Sequence, residues 1–239
     1  MGKVILVCSG SGGAGKTTFA VNLSVALAKK GQRVLLFDVN VGRRNADIYM
    51  GMEDRILFDL GDVMSGLCTL DKAIIPYDLC YGLYILACPQ YREIEGFRPG
   101  HAKALADTLK KKFDYVITDC PVSLGSALRT YSSGADAALI ITVPDHASVR
   151  NADALSEKLA SLGIEKRYFA INRIDRQYSG SEHIPGVNYI AKTLSIPLIG
   201  MVSEDPSINI ANNSGYPVAM DTDCDMARRF SAMSERLIV

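Results

Sequence analysis

Short apolar, β-favouring runs punctuate the chain at Lys3–Cys8, Arg33–Phe37, Gly82–Cys88, Tyr115–Thr118, Ala137–Val143, Tyr168–Ile171 and Pro197–Val202. Between most of them the apolar residues recur at helical spacing, as in Thr17–Lys30, His101–Lys112 and Ala147–Leu162. A strand buried on both faces is apolar throughout, whereas a helix lying on a sheet is apolar along one stripe. The alternation of the two predicts an α/β fold with a mainly parallel sheet covered on both sides. Met226–Leu237 reads as the last docked helix. No repeat or Pro/Gly/Ser-rich linker divides the chain, so residues 1–239 are expected to form a single domain. Segments Asp38–Arg55, Gln90–Pro99 and Asp175–Val187 read as mobile loops.

Ligands of such sheets bind beyond the carboxyl ends of the strands, so the polar residues that follow each run carry the functional signal. After the first run comes S-G-S-G-G-A-G-K-T-T, Ser9–Thr18, which fits G-x-x-x-x-G-K-[ST] with Gly10, Gly15, Lys16 and Thr17 in place. A strand, a glycine loop and a helix N-terminus form an anion cradle. Backbone N–H groups point inward, the helix dipole adds partial positive charge, and Lys16 adds a whole one. The loop therefore predicts nucleotide binding.

Composition narrows the remaining classes. Twenty-six basic and twenty-six acidic residues cancel, which removes a global electrostatic argument for nucleic acid as a partner. The run Lys110–Lys112 reads as a solvated helix end. Cys8, Cys68, Cys80, Cys88, Cys120 and Cys224 show no close pairing, and His101, His146 and His183 lie far apart. Free thiols in a reducing cytoplasm fit this usage better than a disulfide framework or a zinc site. The N-terminal apolar stretch is too short for a signal peptide, and no run reaches membrane-spanning length.

Carboxylates complete the phosphate signal. Asp119 ends Y-V-I-T-D, where phosphate-loop NTPases place an acid that holds Mg²⁺ or its water while the loop hydroxyl, here Thr17, ligates the ion. Asp38 ends R-V-L-L-F-D in the same manner. Asn172 ends Y-F-A-I-N and is either a reader of a base edge or a strand-end Asx turn.

The chain resembles the MinD/ParA group of phosphate-loop ATPases, and particularly its MinD-like, septum-site-determining branch. The resemblance is carried by the glycine loop, L-L-F-D-V-N-V-G-R-R-N-A-D-I-Y-M-G, Y-V-I-T-D-C-P, V-P-D-H-A-S-V-R-N-A-D, A-I-N-R-I and V-S-E-D-P-S-I-N-I-A-N-N-S-G-Y-P-V. It implies a doubly wound, mostly parallel sheet, ATP or ADP with Mg²⁺, a nucleotide-sandwich dimer, and a protein partner that reads the nucleotide state. Carried over by position, Ser11, Gly12, Gly13, Ala14, Gly15, Lys16, Thr17 and Thr18 cradle phosphates. Thr17, Asp38 and Asp119 surround Mg²⁺, and Asn172, Arg173, Ser203, Glu204, Asp205 and Pro206 form the adenine pocket.

Two positions depart from the family pattern. Ser11 replaces a lysine that reaches the partner subunit's nucleotide, and a hydroxyl neither spans that gap nor supplies charge. Asn40 replaces an acid that orients the attacking water; an amide can position water but is a far weaker proton acceptor. Lys16, Asp38 and Asn40 are thus the catalytic candidates, and Arg43 and Arg44 are spare cations on the same segment. The expectation is a nucleotide-dependent switch with slow or partner-dependent hydrolysis and weak or conditional homodimerisation. MinD proteins end in a basic amphipathic membrane helix, whereas this sequence stops at S-E-R-L-I-V, so no autonomous membrane anchor is expected. The alternative is a pseudo-ATPase that holds nucleotide without turnover, favoured by Ser11 and Asn40. A third reading, a small-molecule enzyme on the related amidoligase or dethiobiotin-synthetase scaffold, is opposed by the MinD-like segments.

Overall fold

The structure, a computed structural model, describes residues 1–91, 94, 96–122, 125–175 and 183–238. The expected loops Gln90–Pro99 and Asp175–Val187 therefore fall partly, at residues 92, 93, 95 and 176–182, outside the described residues. The strands are β1 (Lys3–Cys8), β2 (Val34–Asp38), β3 (Ile75–Pro76), β4 (Leu83–Ala87), β5 (Tyr115–Asp119), β6 (Ala137–Thr142), β7 (Lys166–Ile174) and β8 (Leu198–Ser203). They form one sheet in the order β3-β4-β2-β5-β1-β6-β7-β8. All pairings are parallel except β3 with β4.

Helices cover both faces: α1 (Lys16–Lys29), α2 (Ala46–Tyr49), α3 (Leu60–Met64), α4 (Leu70–Ala73), α5 (Pro99–Leu109), α6 (Ser126–Ser132), α7 (His146–Ser161), α8 (Val187–Leu194), α9 (Pro206–Ser214) and α10 (Asp225–Ile238). Each expected strand and long helix is present, with ends shifted by a residue or a few. The small helices α2, α3 and α4 lack enough periodic turns to be legible in the pattern.

Burial follows from the two periodicities. Strands β2, β5 and β6 are buried at every position, as continuous apolar runs require. Helix α1 is buried on nearly all sides, because α10 and the 3-10 turn Val218–Met220 lie across it. Phe19 of α1 meets Phe230 of α10 edge-to-face, with ring centroids 5.2 Å apart. The Met226–Leu237 stripe is thus docked, burying Phe230, Met233 and Leu237. On the other face, Leu109, Phe113, Leu155, Leu159, Phe169 and Ile190 form the second core. Strand β1 leads through α1 to one side and β5 through α6 to the other. The connections diverge above the β5–β1 pair, and a crevice opens there at the carboxyl ends of the strands.

Candidate functional site

Helix α1 begins at this crevice, and its first turn carries no acidic residue and no side-chain cap. By contrast α3, α7 and α9 are closed by Asp59, Asp145 and Asp205, each accepting a backbone N–H of its own first turn. The opening N–H groups of α1 are left for an anion. Gly15 makes this possible with a left-handed conformation, φ 96°, and a Cβ there would lie 2.3 Å from the Asn172 amide nitrogen. Gly10 lets the loop lie on α7, where a Cβ would come within 2.4 Å of the Asn151 carbonyl. Gly12 and Gly13 are exposed at the tip. Ser9 ties the loop's first turn, accepting from Ser11 N at 3.0 Å and donating to Ser11 O at 2.7 Å. Ser11 is held within its own subunit, its Oγ accepting from Asn151 Nδ2 at 3.3 Å. Thr18 continues inward and accepts from Asn212 of α9 at 3.1 Å.

Asp38 and Asp119 are register partners on the adjacent strands β2 and β5, and both are fully buried. Two carboxylates so placed must attract donors or bind protons. Thr17 Oγ1 donates to Asp119 Oδ2 at 2.7 Å. Asn40 donates through Nδ2 to Asp38 Oδ1 at 2.8 Å, to Asp119 Oδ2 at 2.9 Å and to Asp119 O at 3.1 Å, and through its backbone N to Asp38 Oδ1 at 2.9 Å. Asp38 Oδ2 accepts from Asn45 N and Ala46 N at 3.2 and 3.1 Å. Asp38 therefore anchors the segment between β2 and α2. The stretch Asp38–Arg55, expected as a mobile loop, begins at this carboxylate and contains α2 and the 3-10 turn Glu53–Arg55.

Asp119 Oδ1 is buried without a hydrogen-bond partner. Burial and the neighbouring Asp38 carboxylate push the Asp119 carboxyl up to about 8, against the pull of Thr17 and Lys16. Burial also raises Asp38, against donation from Asn40, Ala46 and Asn45. Lys16 is buried, which lowers its ammonium, and the Asp119 charge works in the opposite direction. An orphaned carboxylate oxygen, an adjacent hydroxyl and a second carboxylate are hard oxygen donors of the kind Mg²⁺ takes. The residues present fit that ion.

The candidates for base recognition are only partly brought together. Asn172 is buried at the end of its apolar run and donates to Ala14 O at 2.8 Å. Its amide braces the phosphate loop and is no isolated Asx turn. Arg173 is held at φ 55° and projects outward; its Nε lies 3.7 Å from the Glu204 carboxylate, and both are half-exposed. Asp205 is engaged in capping α9, accepting from Ser207 N at 2.8 Å, and Pro206 opens that helix. Beside them an open cavity of about 700 Å³ is lined by Ile174, Ser203, Glu204, Asp205, Asp225 and Met226. Asp225 and Met226 are not among the sequence-based site candidates, because nothing local marks the start of a distant helix as pocket lining. A separate apolar cavity of about 510 Å³ lies towards α8, lined by Val143, Ile171, Ile174, Pro185, Val187 and Ile190. It does not include the phosphate loop.

The two spare arginines diverge. Arg44 is committed to α2, its Nε 2.6 Å from Asp47 Oδ2 in a largely buried pair. Arg43 is exposed on the segment that follows β2. All six cysteines are free thiols, and no group of three or more His, Cys, Asp or Glu residues that could hold a metal ion occurs among the described residues. No described helix is long and apolar enough to cross a membrane.

Residues 5–218 match the family model of the CobQ/CobB/MinD/ParA nucleotide binding domain. The septum site-determining protein MinD of Bacillus subtilis is 38% identical over 226 residues, which covers 92% of this chain and 83% of the relative. Among solved structures, the MinC:MinD cell division protein complex of Aquifex aeolicus superposes with a TM-score of 0.90 at 29% identity, covering 99% of this chain and 95% of that one. MinD of Pyrococcus horikoshii complexed with Mg-ADP gives 0.88 at 27% identity, covering 99% and 96%.

Proposed function

We propose, for a chain that belongs to the CobQ/CobB/MinD/ParA nucleotide-binding family and is MinD-like over most of its length, that it is an adenine-nucleotide switch of the cytoplasm acting in cell division or spatial organisation. The observation that carries this reading is the uncapped N-terminus of α1 beside Lys16, Thr17 and the orphaned Asp119 oxygen. Gly12–Thr18 would receive the phosphates through backbone N–H groups, with Lys16 as the fixed cation. Thr17 and Asp119 would hold Mg²⁺, with Asp38 behind them as anchor of the switch segment. The ion, when bound, supplies positive charge against the charge developing on a transferring phosphoryl group. Ile174, Ser203–Asp205 and Met226 would line the space for the base, with Pro206 opening α9 beside it and Asn172 supporting it indirectly by fixing the loop.

Hydrolysis is proposed to be slow or dependent on a protein partner. Ser11 offers no cation to a second subunit, and the Asn40 amide protons point at carboxylates. Its amide thus stands as a hydrogen-bond donor where a catalytic acid would accept. The test is steady-state ATP hydrolysis with Mg²⁺, in wild type and in Ser11→Lys, Asn40→Asp and the double variant. Turnover rising most in the double variant supports a switch with attenuated chemistry. ATP binding with no turnover in any of the four would assign the site to nucleotide retention alone.

A further inference from the structure

Asn40 donates four hydrogen bonds, all to Asp38 and Asp119. Its carboxamide nitrogen lies between Asp38 Oδ1 and Asp119 Oδ2, 2.8 and 2.9 Å away. An N–H aimed at a carboxylate lone pair occupies the direction from which a cation would approach that oxygen. A neutral amide with two donors is also a compact group that can donate to two buried carboxyl groups at once. The residue is further tied to its segment, since Arg43 N donates to Asn40 O at 3.0 Å. The same Asp38 carboxylate that Asn40 grips holds the N–H groups of Asn45 and Ala46.

We infer that Asn40 is a positioning residue that stands in for a cation between Asp38 and Asp119, competes with a divalent ion for those oxygens, and couples ion loading to the Asn40–Ala46 segment that carries Arg43. The inference rests on the nucleotide–metal reading above and adds to it a built-in competitor. An acid at this position would bring a third carboxylate to the pair and no donor. Asparagine instead gives Asp38 Oδ1 and Asp119 Oδ2 a shared donor, and lowers the affinity with which the pair takes up a cation.

The sign of one substitution decides between this role and its opposite. Asn40→Ala removes the competing side-chain donors, keeps the backbone N–H to Asp38 and adds no charge. Mn²⁺ binding to the full chain with ADP, followed by electron paramagnetic resonance, should tighten about tenfold, the equivalent of one charge-assisted hydrogen bond no longer displaced. The melting temperature in EDTA should fall in the same variant, because two buried carboxylates lose their shared donor. Asn40→Asp should lower the melting temperature in EDTA further and gain more from Mn²⁺ than wild type does. Unchanged or weaker Mn²⁺ binding in Asn40→Ala would show that Asn40 is indifferent to the ion or ligates it, and would overturn the inference. A readout on the unaltered chain avoids dependence on the variants' folding: the Asn40 side-chain amide resonances should move when Mg²⁺ and ADP are added together but not with ADP alone. Resonances that ignore Mg²⁺ while Mg-ADP binds overturn the exchange alone. Absence of any Mn²⁺ or Mg²⁺ binding with ADP overturns the nucleotide–metal reading, and this inference with it.

Discussion

The contact between Gly15 and Asn172 offers a quantitative test of how the phosphate loop is held. Gly15→Ala places a methyl at a backbone φ of 96°, which costs an L-residue roughly 1–2 kcal/mol. The same methyl would stand 2.3 Å from Asn172 Nδ2, too close for the amide to keep its place. The displaced amide gives up its 2.8 Å hydrogen bond to Ala14 O, worth about 1 kcal/mol in a buried setting. The total for Gly15→Ala is then about 2–3 kcal/mol. Asn172→Ala alone removes the bond and should cost about 1–2 kcal/mol, since Ala14 keeps its carbonyl in a buried loop. In the Asn172→Ala background, however, Gly15→Ala meets no amide and pays only the backbone strain. The double variant should be more stable than the sum of the two costs implies, by about 1 kcal/mol. Urea unfolding of the four proteins measures this coupling, and ATP titration calorimetry should show affinity falling in both single variants. Additive costs within error would refute the argument, because they would mean that the methyl and the amide do not compete for the same space.

Three further outcomes are expected. Lys16→Ala should weaken ATP binding at least tenfold, about 1.4 kcal/mol, and unchanged affinity by calorimetry would remove Lys16 from the cradle. The folded Asp119 carboxyl lies at about 8 against an ordinary 3.8, so its stabilising proton is fully held below about pH 4 and is lost as pH rises through 8. Stability in EDTA should decline across that window while Mg-ADP affinity rises, because the ion displaces the proton; calorimetry in buffers of different ionisation enthalpy should detect the released proton, and proton-independent binding would contradict the assignment. Association driven by an ATP analogue with Mg²⁺ should be weak by analytical ultracentrifugation, because Ser11 is neutral and hydrogen-bonded to its own Asn151. A tight dimer that dissociates on Arg43→Ala would identify the exposed arginine as the bridging cation, and one indifferent to Arg43 would contradict the reading of Ser11.

The sequence by itself determined the parts whose signal is local. Alternating apolar runs and helical stripes specified a parallel α/β sheet, since a buried strand and a docked helix each write their period directly into neighbouring residues. The glycine loop specified an anion cradle for the same reason: Gly15 and Lys16 act on groups within a few residues of themselves. Asp38 and Asp119 were legible as strand-end acids. That they are register partners was not, because the chain places β2 beside β5 only after α2, α3, α4, β3, β4 and α5 have intervened. Tertiary structure alone decided what the amides do. Asn40 reaches Asp119 across 79 residues, Asn151 reaches Ser11 across 140, and Asn172 reaches Ala14 across 158. Asparagine offers both donor and acceptor, so its sequence context leaves the partner open, and strand order and register select it. The same holds for the two adjacent arginines. Arg44 lies where α2 presents Asp47 and is ion-paired there, whereas Arg43, one residue earlier, is exposed to solvent.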